Sequence, residues 1–331
     1  MLQELFRIPF LGLPVYGYGL MLVIGVWSAV ELGRYLANRN GLRGDDFVTI
    51  GLLALGAGVF GARLSHVIEN LGKYTDTSRS AWENLKDAAN LSSGGLTFYG
   101  GFIFATIVLI AWAKWRKIPL RLGMDVVAPC LMVGLAFGRV GCLLNGCCWG
   151  QTCDPNQVPW AITFPYGSPP YEGQFEDGDI ELGDGPGEVP PALTQPMIEK
   201  KTGRRFLGLV PKEDVANDPQ LTALARNSRS LAVHPTQVYS TINAFLIAGI
   251  CIAFLRVRPK VGRVFALMLL LYGPARFTLE TLRIEPAVLW GWSFSMWTSV
   301  GTFAMGVVLW FVFGAMKQPG ESPAFVDGEA T

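Results

Sequence analysis

Three segments carry residues whose types and spacing can do chemistry. Arg276, Glu280 and Arg283 fall at i, i+4 and i+7, which is one stripe of a helix. Gly138-Arg139-Val140-Gly141 runs into Cys142, Asn145, Cys147 and Cys148. His234-Pro235-Thr236-Gln237-Val238-Tyr239 opens onto an apolar run. Arg276 and Arg283 outnumber Glu280, and Arg139 and Arg63 add to the excess of guanidinium. Surplus arginine in apolar surroundings calls for an anion, and a phosphate matches its planar fork. The plainer use of Glu280 is an ion pair that only neutralises charge. Tyr18 and Tyr99 bring phenols to two other apolar blocks.

The elements that must position these groups are greasy. Of 331 residues, 50% are hydrophobic and only 16% are charged. Soluble domains carry about 25% charged residues, and disordered chains pair low hydrophobicity with high charge. Neither class fits. The net charge of +1 provides no basic field for nucleic acid. The apolar residues are gathered in seven blocks, about 15–36, 47–69, 95–114, 124–144, 237–256, 262–282 and 294–316. A bilayer core of about 30 Å takes about 20 apolar helical residues. The expected fold is an all-α integral membrane protein of seven transmembrane helices.

Basic residues set the orientation. Arg34, Arg39 and Arg43 follow the first block, and Lys114, Arg116, Lys117 and Arg121 lie between the third and fourth. Arg256, Arg258, Lys260 and Arg263 lie between the fifth and sixth, and Lys317 follows the last. With seven spans all these clusters share one side, which the positive-inside rule makes cytoplasmic. The N-terminus is then outside and the C-terminus inside. The mixed-charge loop 69–93 falls outside. No cleavable signal peptide is expected, because Met1–Phe10 lacks a basic region before an apolar run. The domain plan is spans one to four in 1–149, a polar outside insert in 150–233, spans five to seven in 234–317 and a disordered tail in 318–331.

Charges inside spans mark function by default. Arg139, Arg283 and Arg63 fall near outer span ends, Arg276 lies in the outer half or close to the middle, and Tyr18 and Tyr99 sit at outer starts. The expected site is therefore a cavity in the outer leaflet that takes an anionic lipid head group or another phosphate. Gly94, Gly95, Gly100 and Gly101 surround Tyr99 and allow close approach of backbone to backbone or to ligand. Thr236 and Gln237 can cap a helix start, and Pro235 suits its first turn. His234 can act as a base, a hydrogen-bond donor or a helix-end residue. Cys130 and Cys251 read as buried apolar residues. Cys142, Cys147, Cys148 and Cys153 are expected as structural disulfides or free buried thiols. Their spacing lacks the paired C-x2-C of zinc sites, so no metal and no cofactor is expected. In the insert, 167–192 reads as flexible loop, and 196–204 and 218–228 as short helices. A tolerated surface insertion is the favoured reading of the insert, ahead of a lid or docking element.

Several segments together resemble the prolipoprotein diacylglyceryl transferases, integral enzymes of the bacterial inner membrane. Gly138 to Gly150 looks like the family's signature after its fourth span. His234-Pro235-Thr236-Gln237-Val238-Tyr239 is similar to its H-P-[ST]-Q-x-Y segment, and Arg276 to Arg283 to its R-x3-E-x2-R helix. Gly94 to Gly101, Tyr18 to Met21, Gly61 to Leu64 and Pro159 to Pro165 also fit, in the right order. The resemblance implies transfer of the diacylglyceryl group of phosphatidylglycerol to the lipobox cysteine thiol of lipoprotein precursors. The products are a thioether and glycerol phosphate. It implies Arg139, Arg276, Tyr99 and Glu280 as catalytic residues. Arg139, Arg276, Arg283, Tyr18, Arg63, Asn145, His234, Gln237 and Tyr239 would bind substrate. Arg139 and Arg276 would hold the phosphate, and Glu280 and Arg283 would hold those arginines or the glycerol hydroxyls. The chain departs from the pattern at Tyr99, where the family usually has His, at Cys142 and Cys147, where it usually has Asn and Glu, and in the length of the insert. Tyr99 is the best-placed replacement for the missing base, or it only hydrogen-bonds the head group. The rival readings are a transporter or channel for small anions, and an inactive relative that binds lipid.

Overall fold

The computed structural model describes residues 4–7, 14–75, 80–90, 95, 97–183, 185, 187–198, 205–284 and 286–317. The chain opens with a strand pair, β1 (Glu4–Arg7) and β2 (Pro14–Tyr16). Helices α1 (Gly17–Arg39) and α2 (Gly44–Glu69) follow, then two short ones, α3 (Leu71–Tyr74) and α4 (Ala81–Ala89). Next come α5 (Phe98–Trp115) and α6 (Leu120–Asn145). The insert contains α7 (Pro169–Glu176), the antiparallel hairpin β3 (Thr194–Ile198) with β4 (Arg205–Leu209), α8 (Lys212–Asn217) and α9 (Pro219–Asn227). The chain ends in α10 (Thr236–Arg256), α11 (Arg263–Glu280) and α12 (Phe294–Ala315). The tail 318–331 lies outside the described residues.

Each apolar block becomes a helix. Five of these helices, α1, α2, α6, α10 and α12, are long and apolar enough to cross a membrane. Helix α12 has 22 residues, which is about 33 Å at 1.5 Å per residue. Only 17% of its most apolar window is buried, and Phe303, Val308 and Phe311 stay exposed on it. A helix apolar on its exposed face needs lipid there, not water. The third and sixth blocks give shorter or more charged helices. The apolar part of α5 is Tyr99–Trp115, and the 18 residues of α11 include Arg263, Arg276 and Glu280.

The chain divides into two compact units. One comprises Met1–Gly25, Met132–Ile247 and Leu269–Gly306, and the other Val26–Leu131, Ala248–Met268 and Val307–Thr331. In the second, α2 packs along α5. A Cβ at Gly100 would lie 2.6 Å from the Gly61 carbonyl, so two bare backbones are what lets this pair approach. Asp125 of α6 is 1% exposed and accepts from the Gly262 and Phe265 N–H groups at 2.5 and 2.9 Å. That carboxylate satisfies free donors at the start of α11.

In the first unit, the insert has its own small core. Tyr166, Tyr171, Ile180, Val189, Leu193, Val210 and Val215 are buried together. The Tyr166 hydroxyl donates to the Leu193 and Val210 carbonyls at 3.0 and 2.8 Å. Burial pushes its phenol up to about 12, so it remains a donor. Two expectations fall here. The stretch 167–192 is not a plain loop, because Pro169 starts α7 and Tyr171 and Val189 anchor it in the core. Pro196–Ile198 is strand rather than helix, since it pairs in register with Arg205–Leu207. Residues 199–204 lie outside the described ones. The expected helix at 218–228 is α9, with Asp218 accepting from Gln220 and Leu221 N–H as its cap.

Candidate functional site

The site is built at the end of α6 in the first unit. Helix α6 stops at Asn145, and Gly146, with φ +76°, reverses the chain. Cys147 N–H then donates to the Cys142 carbonyl at 3.0 Å. The reversal folds Cys147 and Cys148 back, so that the sulfurs of Cys142, Cys147 and Cys148 all lie within 4.8 Å of one another. All six cysteines are free thiols, the second of the two states expected for the cluster. The Asn145 side chain hydrogen-bonds the Cys147 thiol.

The start of α10 holds this turn in place. Gln237 Nε2 donates to the Cys147 carbonyl at 2.9 Å, and Thr236 Oγ1 donates to the Cys148 carbonyl at 2.8 Å. Thr236, favoured as a cap of α10, and Gln237 donate across to the cysteine turn, whose carbonyls have left the helix and need donors. Gln237 Oε1 and His234 Nδ1 are buried with no hydrogen-bond partner among the described residues. Tyr239 is occupied on its oxygen, which accepts from Trp160 Nε1 at 2.5 Å. Gln151 ties in α11, with its N–H on the Leu282 carbonyl at 2.8 Å and its side chain on the Arg283 carbonyl at 3.3 Å. Sequence reasoning missed Gln151, which carries no signal of its own.

Helix α11 ends at Glu280, so Arg283 stands in the turn after it and not on the helical stripe. Its side chain still reaches the same carboxylate. Glu280 Oε2 lies 2.7 Å from Arg276 Nη1 and 3.5 Å from Arg283 Nη1, and Glu280 is 3% exposed. Ser293 Oγ donates to Glu280 Oε1 at 3.4 Å, and Arg276 Nη2 to Ser295 Oγ at 3.3 Å. One carboxylate thus serves two guanidiniums. Arg139 has no carboxylate partner among the described residues. Arg139 and Arg283 both act on the Cys148 thiol, which is held below the ordinary thiol range first by hydrogen bonds from Cys142 and Cys147 and then by those charges. Tyr18, on the first turn of α1, sets its ring against Gly141, where an added Cβ would meet Cδ2 at 3.0 Å.

Cys148 and Arg283 also line a cavity of about 160 Å³ with Trp149, Gly173, Gln174 and Asp177. Glycine and glutamine from α7 thus place the insert against the charged centre.

Two candidates lie in the other unit. Tyr99 is on the first turn of α5 and is 54% exposed. Arg63 is buried, and its guanidinium donates to the carbonyls of Asp87 at 2.7 Å, Ala88 at 2.8 Å and Gly95 at 3.1 Å. Two of those acceptors are at the C-terminal end of α4, where carbonyls lack helical partners. Arg63 therefore caps the end of α4.

A family model described as prolipoprotein diacylglyceryl transferase matches residues 3–312. The chain belongs to this family. It is similar to the phosphatidylglycerol–prolipoprotein diacylglyceryl transferase of Rhodopirellula baltica, at 37% identity over 193 residues, which are 56% of this chain and 38% of that protein. The proteins of the same name from Clostridium tetani and Burkholderia ambifaria match at 27% over 275 residues and 28% over 321. Those two alignments cover 83% and 93% of each chain respectively. The apolar helices and the family make this a multi-pass membrane protein.

Proposed function

We propose that this chain is a transferase that moves the diacylglyceryl group of phosphatidylglycerol onto the lipobox cysteine thiol of lipoprotein precursors. It works in a bacterial cytoplasmic (inner) membrane, crosses it seven times with its N-terminus outside, and presents the site to the outer leaflet. The observation that carries the reading is the pairing of charge. Arg276 and Arg283 share Glu280, while Arg139 has no carboxylate partner among the described residues and acts with Arg283 on one thiol. An arginine that no described carboxylate pairs is what a phosphodiester needs, and family membership supplies the reaction.

The roles follow from the charge that develops. The thiol loses its proton to solvent, its sulfur attacks the glyceryl carbon as thiolate, the carbon–oxygen bond to phosphate breaks, and glycerol phosphate leaves with the electron pair. Arg139 and Arg276 stabilise that departing phosphate. Glu280 fixes the two guanidiniums of α11 and its following turn in reach of it. The free acceptor Gln237 Oε1 and the free His234 Nδ1 suit the glycerol hydroxyls. Tyr18 and Asn145 wall the same end of α6. The test is purified chain with phosphatidylglycerol vesicles and a lipobox peptide, followed by mass spectrometry. The peptide gains one diacylglyceryl group; a peptide of unchanged mass contradicts the reading.

A further inference from the structure

We infer that Cys142, Cys147 and Cys148 form a three-thiolate site for a zinc ion, whose fourth position takes the thiol of the acceptor cysteine. The geometry comes first. Three sulfurs from a five-residue turn and the helix before it lie within 4.8 Å of one another. Zinc–sulfur bonds of about 2.3 Å require tetrahedral sulfur–sulfur edges of about 3.8 Å, so closure needs about 1 Å of movement. Structural sites fill all four positions, while catalytic sites hold three protein ligands and leave one open. This cluster supplies three.

The turn is prearranged for it. Gly146 reverses the chain, and Cys148 adopts the left-handed region at φ +61°, which a β-carbon disfavours. Gln237 and Thr236 hold the two carbonyls that would otherwise let it relax. Three thiolates on one divalent ion carry one net negative charge. Cys148 also lines the cavity of about 160 Å³, so an ion held by it is reached from there.

The chemistry gives the open position a use. A cysteine thiol titrates near 8.5 and attacks carbon only as thiolate. A thiol that coordinates zinc loses its proton outright, and the proton goes to solvent. The zinc-bound sulfur then forms the carbon–sulfur bond as the carbon–oxygen bond to phosphate breaks. No oxidant or reductant is needed. The acceptor role rests on the transferase reading; the metal site does not.

The experiment uses the full chain in detergent, purified under reductant and without chelator. Its metal content is measured directly, and the zinc is replaced by Co2+ for absorption spectroscopy. The expected result is about one zinc per chain, and a cobalt form with an intense sulfur-to-cobalt charge-transfer band. Cys147→Ser loses most of the metal, while Cys251→Ser, buried elsewhere, keeps it. A peptide with one lipobox cysteine strengthens the band, and its serine counterpart does not. Absence of metal in the wild-type chain, a cobalt form without the charge-transfer band, or a disulfide joining two of the three cysteines overturns the site. A band that the cysteine peptide leaves unchanged overturns the acceptor role. A chain that lipidates the peptide while holding no zinc sinks the metal site and spares the transferase reading. Zinc bound in a chain that never transfers does the reverse.

Discussion

Arg276 and Glu280 meet at 2.7 Å, one turn apart on α11, with the carboxylate almost wholly buried. Arg283 approaches the same oxygen at 3.5 Å. This carboxylate therefore holds two cations where water is scarce. Removing one member of a buried pair costs about 3–5 kcal/mol, because the remaining charge stays buried and unpaired. Glu280→Gln is expected to lower thermal stability in detergent and to abolish transfer. Glu280→Asp, which keeps the charge, recovers part of both. Differential scanning fluorimetry beside the transfer assay separates the two effects.

The contact of α2 with α5 is a matter of bare backbone. A methyl at Gly100 would stand 2.6 Å from the Gly61 carbonyl, and helix backbones do not yield cheaply. Gly100→Ala is expected to force the two helices apart and lower the melting temperature. Gly72→Ala, where nothing lies within 4 Å of the added carbon, is the matched control and leaves it nearly unchanged.

The insert's core depends on one hydroxyl. Tyr166 donates to the Leu193 and Val210 carbonyls. Tyr166→Phe leaves the buried Val210 carbonyl without that donor, while the Leu193 carbonyl keeps the Val210 N–H, at a cost of about 1–3 kcal/mol. Limited proteolysis should then cut within residues 166–215 faster, while sites elsewhere are unaffected.

Tyr99 stands where a base was sought, exposed on the first turn of α5. Tyr99→Phe is expected to keep turnover within about threefold, since general acid–base groups contribute about 100-fold or more. A larger fall in kcat, with unchanged KM, would assign chemistry to the hydroxyl.

Much of this was legible in the sequence because lipid imposes simple rules. Each apolar block is a helix, and five of these helices are long and apolar enough to cross a membrane, where backbone must be satisfied internally. Arg276 and Glu280 at i, i+4 had to meet if α11 formed. What was not legible depended on chain reversals. Gly146 gathers three cysteines whose spacing matches no common metal motif, and only the φ of +76° brings them together. Arg63 looked like a cation seeking an anion, and its guanidinium donates to carbonyls of α4 and Gly95, which lie 24 residues or more along the chain. The insert read as loop because its buried Tyr171, Val189 and Val210 are scattered among glycine, proline and acids and show no helical or strand period.

In the proposed function, the Arg139 guanidinium grips the phosphate of the lipid donor. Its most direct test is the rate at which a lipobox peptide gains mass from phosphatidylglycerol, compared between the wild-type chain and Arg139→Ala at equal, correctly inserted amounts. The expected result is a loss of about 100-fold or more, the effect of removing one positioned donor to a developing anion, with Arg139→Lys recovering little because an ammonium lacks the fork. Transfer by Arg139→Ala at the wild-type rate would contradict it.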